Sequence, residues 1–536
     1  MIHYFTTYGF KELGIYQESS VYYPQEKLDL PSIKDDIPLI LIKALNAKEI
    51  LEKIINLGSG IALSQETLDD IMKIIEGSKY NHNFIEDISN RELKALLYDY
   101  YNVTPSEPVE FLRHIVSKLT NESLIIKNKY LIEKIKESNR KFLDVLIKDA
   151  PDNLASIFFR FKPLFLAMKT ISKNKTFFNQ LRKKANKQHV PMPEDYLNTI
   201  TSQIKKEKLD IDKFAKKIKQ ASIFRKIRLA YALNNRLHLK KSIVYRVRNG
   251  RGWATDFEWP SKLNNVTAQV LELVLTSIAD DIRENVNEKV FYIPSNISYA
   301  LPATEKQFTG NLPSGSYVSV PADLIVGIHW KNTKRQIDLD LSVIGETGKI
   351  GWDSNYRSKD NNVLFSGDVT DAPPPRGATE LFYIKKNTTE SRILSVNYYN
   401  FQDNDEVDCK ILVAHENPKK FGSNYMVDVN NIIAEANIKI SKKQSILGLI
   451  KNVDGENRIY FSNVSIGNSI TSTKNTNSIH ARNFLIGTTI SNIDLREVLL
   501  KAGAIIVDEK PESDFFDLSP EALDKTTILD LIVPSK

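Results

Sequence analysis

Cysteine is almost absent from this 536-residue chain: Cys409 is the single one. One thiol can form neither an intrachain disulfide nor a cysteine-based zinc site. Long apolar runs are missing too, and none approaches the ~20 residues needed to span a bilayer. The opening stretch from Met1 to Gly9 has no basic segment followed by an apolar one, as a secretory signal would. Together these absences imply a cytoplasmic protein without membrane insertion. Catalytic signatures are lacking as well. There is no G-x-x-x-x-G-K-[ST], no H-E-x-x-H and no G-x-S-x-G. Gly250-Arg251-Gly252 lacks the third glycine of a dinucleotide loop. The eight histidines are scattered, and none has a partner four residues away. The expectation is a protein that is not an enzyme.

Charge is plentiful but segregated. The net charge is +7, yet residues 1–150 carry −4, residues 151–251 carry +19 and the remainder carries −8. A field of that size attracts polyanions. In the basic segment Phe158, Phe159, Phe161, Phe165, Phe177 and Phe178 alternate with lysine and arginine, among them Lys183, Lys184 and Lys187. Aromatic rings between cations can stack on unpaired bases. They are equally what the core of a basic helical region requires. Arg246, Arg248 and Arg251 flank Asn249-Gly250, a turn pair that could present them to phosphate. RNA or DNA is therefore one candidate partner. An acidic protein, or the chain's own acidic region, is another.

The apolar pattern divides the chain. The first thirty residues carry Tyr4, Phe5, Tyr8, Phe10, Tyr16, Tyr22 and Tyr23, suited to an extended arm or self-assembly through a neighbour's sheet edge. From about 38 to 240 apolar residues recur at helical spacing. Ser64, Asn90 and Pro108 stand where helices begin. Near 289 the period shortens to two, and strands are expected over 336–344, 380–384, 393–400, 408–414, 434–440, 445–451 and 457–466. A helix near 494–502 and a weakly patterned tail follow. The predicted units are 1–150 (arm and acidic helices), 151–288 (basic helices), 289–470 (an antiparallel sandwich) and 471–536 (helix and tail).

Within the β-region, Asp338-Leu339-Asp340-Leu341-Ser342 alternates strictly. In a strand Leu339, Leu341 and Val343 would enter a core, while Asp338 and Asp340 share the other face, roughly 7 Å apart. Two carboxylates there repel unless water or a cation separates them. The loop at 366–371 adds Asp368 and Asp371, enough oxygen for a hard cation such as calcium. A half-solvated strand with no ligand shows the same alternation.

The order of these pieces resembles the TerD family, the calcium-binding domain of bacterial tellurium-resistance and stress-response proteins. Its pattern is met by Gly327-Ile328-His329-Trp330, then Asp338-Leu339-Asp340-Leu341-Ser342, then Asp353-Ser354-Asn355-Tyr356, then the loop from Ser366-Gly367-Asp368 to Glu380. The resemblance implies a TerD-type sandwich behind a helical array, a multidomain α + β chain. It also implies a calcium ligand set of Asp338, Asp340, Asn355, Asp368, Asp371 and Glu380. Where small members of the family have a dense acidic cluster, this loop reads Ala372-Pro373-Pro374-Pro375-Arg376-Gly377-Ala378-Thr379. Fewer ligands imply a weaker site, one ion rather than two, or none. That proline-bearing form is similar to larger bacterial proteins with a helical region ahead of the domain. The function implied is a non-enzymatic stress-response scaffold. A nucleic-acid-binding protein and a homo-oligomeric structural component are the alternatives.

Overall fold

The computed structural model describes residues 45–122, 125, 129–192, 195–238, 242–246, 252–256, 258–346, 348–386, 388–402, 405–417, 421–422, 425–465, 485–487, 489–512 and 514–533. The aromatic arm expected over residues 1–30 lies outside them. Two units are distinguished, Met1–Ile55 and Asn56–Lys536. The described part of the first opens helix α1 (Ala47–Ser59). Asn46 Oδ1 accepts the Lys48 and Glu49 N–H groups, and Glu49 Oε2 accepts the Asn46 N–H, a reciprocal cap.

The second unit begins with short helices, most of them started by a residue whose side chain takes an otherwise unpaired N–H. Ser64 caps α2 (Gln65–Glu76) and Asn90 caps α3 (Arg91–Tyr100). Pro108 opens α4 (Pro108–Thr120). Then come α5 (Lys129–Glu137), α6 (Arg140–Leu146), α7 (Lys162–Ile171) and α8 (Lys175–Gln188). Phe111, Leu131, Leu143, Phe158, Phe165 and Phe178 are buried in one core shared by α4 to α8. Three more, α9 (Tyr196–Lys205), α10 (Ile211–Lys219) and α11 (Ile223–His238), pack instead on a second core.

The basic segment is not helical throughout. Strands β1 (Ser242–Arg246) and β2 (Gly252–Asp256) form an antiparallel hairpin with Arg246 opposite Gly252. Ile243, Val244 and Tyr245 favour a strand, and Asn-Gly between two such runs favours a hairpin over a helix.

Helix α12 (Asn264–Val286) leads into the β-region. A seven-stranded sheet runs in the order β10 (Lys349–Gly351), β9 (Leu339–Ile344), β13 (Arg392–Tyr398), β16 (Gln444–Val453), β17 (Glu456–Ser465), β7 (Tyr317–Val320), β4 (Ile297–Ser298). A five-stranded sheet runs β11 (Val363–Phe365), β12 (Ala378–Ile384), β8 (Leu324–Trp330), β14 (Val407–His415), β15 (Ile432–Ile440). Both are antiparallel, so the chain is a helical region followed by mostly antiparallel sheets. Leu339, Leu341, Leu394, Val396, Val326, Ile328 and Phe382 share the core that also receives α12 and the C-terminal helices α13 (Leu495–Lys501) and α14 (Lys525–Ile532).

The outer sheet faces are covered as well. Phe421, Tyr425 and Val427 pack on Ile325, Leu381, Tyr383 and Leu412 of the smaller sheet. Leu485, Ile486 and Ile490 pack on Ile393, Ile446, Leu449 and Tyr460 of the larger. Strands buried on both faces read as continuous apolar runs, which is the pattern of Leu324–Trp330. A small parallel sheet joins β3 (Val290–Tyr292) to β18 (Ile505–Val507) and β19 (Phe516–Asp517), and β5 (Phe308–Thr309) pairs with β6 (Leu312–Pro313). Among the described residues no helix is long and apolar enough to cross a membrane.

Candidate metal centre

Strand β9 puts Leu339, Leu341 and Val343 in the core, as its alternation demands. The opposite face is not solvated, because Asp338 is 8% exposed and Asp340 2%. The half-solvated reading of this strand is thereby corrected: a loop and a neighbouring strand close over the acidic face. Asn397 lies opposite Asp340 on β13 and donates from Nδ2 to Asp340 Oδ2 at 2.7 Å. The Asp338 main chain is fixed on both sides. Its N–H donates to Asn400 Oδ1 at 3.2 Å, and its carbonyl accepts the Tyr399 N–H at 3.0 Å. One carboxylate oxygen is left over: Asp338 Oδ1 is closed off from solvent with no hydrogen-bond partner.

Asp368 reaches the same place from the loop between β11 and β12. Ser366 pairs with Leu381 in both directions: its N–H donates to the Leu381 carbonyl, and its Oγ accepts the Leu381 N–H, each at 2.9 Å. Gly367 then turns the chain with a φ of 118°, a conformation glycine tolerates and L side chains rarely adopt. Gln336 Nε2 donates to the Thr370 carbonyl at 2.7 Å. The Asn332 N–H donates to the Ala372 carbonyl, also at 2.7 Å. The loop is therefore tied down on both sides of Asp368.

Carboxylate oxygens of Asp338, Asp340 and Asp368 all lie within 4.8 Å of one another. Ligands about 2.4 Å from a calcium ion are at most about twice that distance apart, a condition these three oxygens meet. Glu380 closes the inner side. It is fully buried, with Oε2 accepting the Leu341 N–H at 2.7 Å and Oε1 the Val369 N–H at 2.9 Å. Strand β8 runs tight against it: a Cβ on Gly327 would stand 2.1 Å from the Glu380 carbonyl oxygen.

This crowding is electrostatically unfavourable on its own. Burial pushes Asp338 up to about 6, helped by Asp368. Burial pushes Asp340 up to about 7, against the Asn397 hydrogen bond, with Asp338 and Asp368 adding to the rise. Asp368 is exposed at the mouth of the site, and the partial desolvation of its carboxyl raises it as well. Glu380 reaches about 9, because burial outweighs its two N–H donors and the neighbouring aspartates add to it. A divalent cation would relieve all four groups at once. The donors are hard oxygens, which suit calcium or magnesium better than zinc or copper. Among the described residues this is the one acidic cluster with ligand spacing.

The remaining expected ligands are placed differently. Asp371 is exposed, and its Oδ1 accepts from Asn332 Nδ2 at 2.7 Å. Asn355 is exposed after β10, where its carbonyl accepts the Gly351 N–H at 3.1 Å. Asn397, which the sequence reading did not select, belongs to the site. Its selection required the β9–β13 register, which residue spacing does not encode.

The basic candidates divide similarly. Lys183, Lys184 and Lys187 are exposed on α8. The Arg246 backbone ends β1, whereas Arg248 and Arg251 lie outside the described residues. The interleaved rings serve mainly as core: Phe158, Phe165 and Phe178 are at most 2% exposed. Phe159 is 38% exposed and meets the His189 ring edge-on at 5.4 Å. No protein-family model matches this chain, and no curated protein or solved structure matches it either.

Proposed function

We propose that the β-region is a TerD-type sandwich that binds one divalent cation, calcium in the first instance, and serves as the assembly module of a non-enzymatic scaffold. The observation that carries this reading is the convergence of Asp338, Asp340 and Asp368 around an Asp338 oxygen with no partner. A buried acceptor left unpaired is costly, and a cation is the partner that three converging carboxylates select. The order of the motifs along the chain supports the family reading. The rigid loop supports binding without large rearrangement.

Isothermal titration with calcium tests it, comparing the full chain with Asp338→Ala/Asp340→Ala. The intact protein should give saturable heat and a raised melting temperature, both abolished in the double variant. No heat and no thermal shift in the intact protein would remove the cation from the proposal.

A further inference from the structure

A second constellation lies in the basic helical region, away from the acidic strand. Helices α9 and α10 are joined by a tight turn in which Glu207 has a φ of 55° and the Lys208 N–H donates to the Gln203 carbonyl at 2.9 Å. Between them is an open cavity of about 270 Å³, lined by Tyr196, Thr199, Gln203, Lys208, Asp210 and Lys213. Its donors outnumber its acceptors. The Tyr196 hydroxyl is closed off from bulk solvent and has no hydrogen-bond partner. The Lys213 ammonium stands 5.6 Å from the centre of the Tyr196 ring. Gln203 Nε2 donates one hydrogen to Thr199 Oγ1 at 2.7 Å, which leaves its second for a ligand. The single acid, Asp210, spends one oxygen on the Lys213 N–H at 2.9 Å as the cap of α10.

Lys208, Lys213, Gln203 and Tyr196, whose phenol is unpartnered, line one cavity and supply the donor chemistry an oxyanion requires. Burial and the Asp210 carboxylate both push the phenol upward, so it remains a donor at neutral pH. The volume admits a phosphate together with a few further heavy atoms. A terminal phosphate offers three oxygens to such donors, whereas a chain phosphodiester offers two and must carry flanking residues.

We infer that this cavity binds the terminal phosphate of a small phosphomonoester through Tyr196, Gln203, Lys208 and Lys213. The inference stands apart from the cation site, shares no residue with it and survives its failure.

The test is calorimetric titration of the full-length protein with ribose 5-phosphate, inorganic phosphate, ribose and a single-stranded oligonucleotide lacking terminal phosphates. Ribose 5-phosphate should bind and ribose should not. Weaker binding of inorganic phosphate would place the remainder of the ligand in the cavity too. Tyr196→Phe and Lys213→Gln should each weaken binding about tenfold, as expected for losing a hydrogen bond to a charged group. Lys219→Gln, on the exposed face of the same helix, should leave it unchanged. Lys213→Gln alters only an exposed side chain, so it reads the site even if Tyr196→Phe disturbs folding. Absence of binding, equal losses in Lys213→Gln and Lys219→Gln, or an oligonucleotide that binds as well as the monoester with the same sensitivity, would each overturn the assignment.

Discussion

Glu380 of the five-stranded sheet accepts the main-chain N–H of Leu341, on the seven-stranded sheet, at 2.7 Å. The second carboxyl oxygen accepts the Val369 N–H at 2.9 Å, so one side chain joins both sheets to the loop that carries Asp368. With Glu380 pushed up to about 9, the group is protonated at pH 7 without a cation, and its two oxygens still accept. Glu380→Gln keeps size and neutrality but turns an NH₂ toward one of the two N–H groups. Denaturant unfolding in chelator should show a loss of about 1–3 kcal/mol, the cost of a buried donor left unpaired. An unchanged midpoint would mean that Glu380 is not the tie between sheets and loop.

Gly367 isolates backbone strain from packing. Its φ is 118°, and a Cβ there would meet nothing within 4 Å. Gly367→Ala should therefore cost about 1–3 kcal/mol through conformation alone. It should also weaken calcium binding, since the neighbouring residue is Asp368. Gly348 is the control, with a φ of 144° and equally open surroundings, in the β9–β10 connection. Gly348→Ala should lose stability and retain calcium affinity. Equal calcium affinities in the two variants would contradict the role given to the 366–371 turn.

Ser64, Asn90 and Pro108 announce their helices because a cap acts within one turn of chain. The alternation of β9 likewise reveals which residues enter the core, since it is a property of one strand. Whether Asp338 and Asp340 are wet depends on Asn397, the 366–371 loop and Glu380, brought there by register and by the packing of two sheets. Asp371 belongs to the same acidic loop by sequence, but Asn332 takes its carboxylate. Phe158 and Phe178 lie between lysines in the chain and inside the core in space. Their burial follows from helix faces, which local charge density does not report.

Lys226 on α11 is 1% exposed and is the polar joint between two helices of the main core. Its ammonium donates to both Asp281 oxygens of α12 at 2.7 Å and to the Ser277 carbonyl at 3.2 Å. Burial raises the Asp281 carboxyl against the pull of Lys226, so removing the lysine leaves an acid in a poor environment. Lys226→Met should cost about 3–5 kcal/mol, and Lys226→Met/Asp281→Leu distinctly less. A double-mutant cycle in denaturant checks the difference. Additive losses would show that the pair does not act as a unit.

Glu305 gives the pH dependence its clearest sign. It is 4% exposed, and Oε2 accepts the Ser64 N–H at 2.6 Å. Oε1 accepts the Ser64 hydroxyl at 3.0 Å, receives the Thr67 hydroxyl, and lies 3.1 Å from the Lys525 ammonium. One carboxylate thus fastens the start of α2 to the start of α14. Burial alone would raise its pKa, but the Thr67, Ser64 and Lys525 interactions prevail and hold it below the ordinary 4.5. A folded-state pKa below the unfolded one means that the unfolded chain takes up the proton first as pH falls. The contribution is therefore complete above about pH 4.5 and disappears as pH drops through the folded value. Glu305→Gln should cost about 2–3 kcal/mol at pH 7, the worth of hydrogen bonds to a charged group. In thermal melts taken from pH 6 down to pH 3, its deficit against the parent should hold to about pH 4.5 and narrow below that. A deficit that stays constant over that range would assign the loss to shape rather than charge.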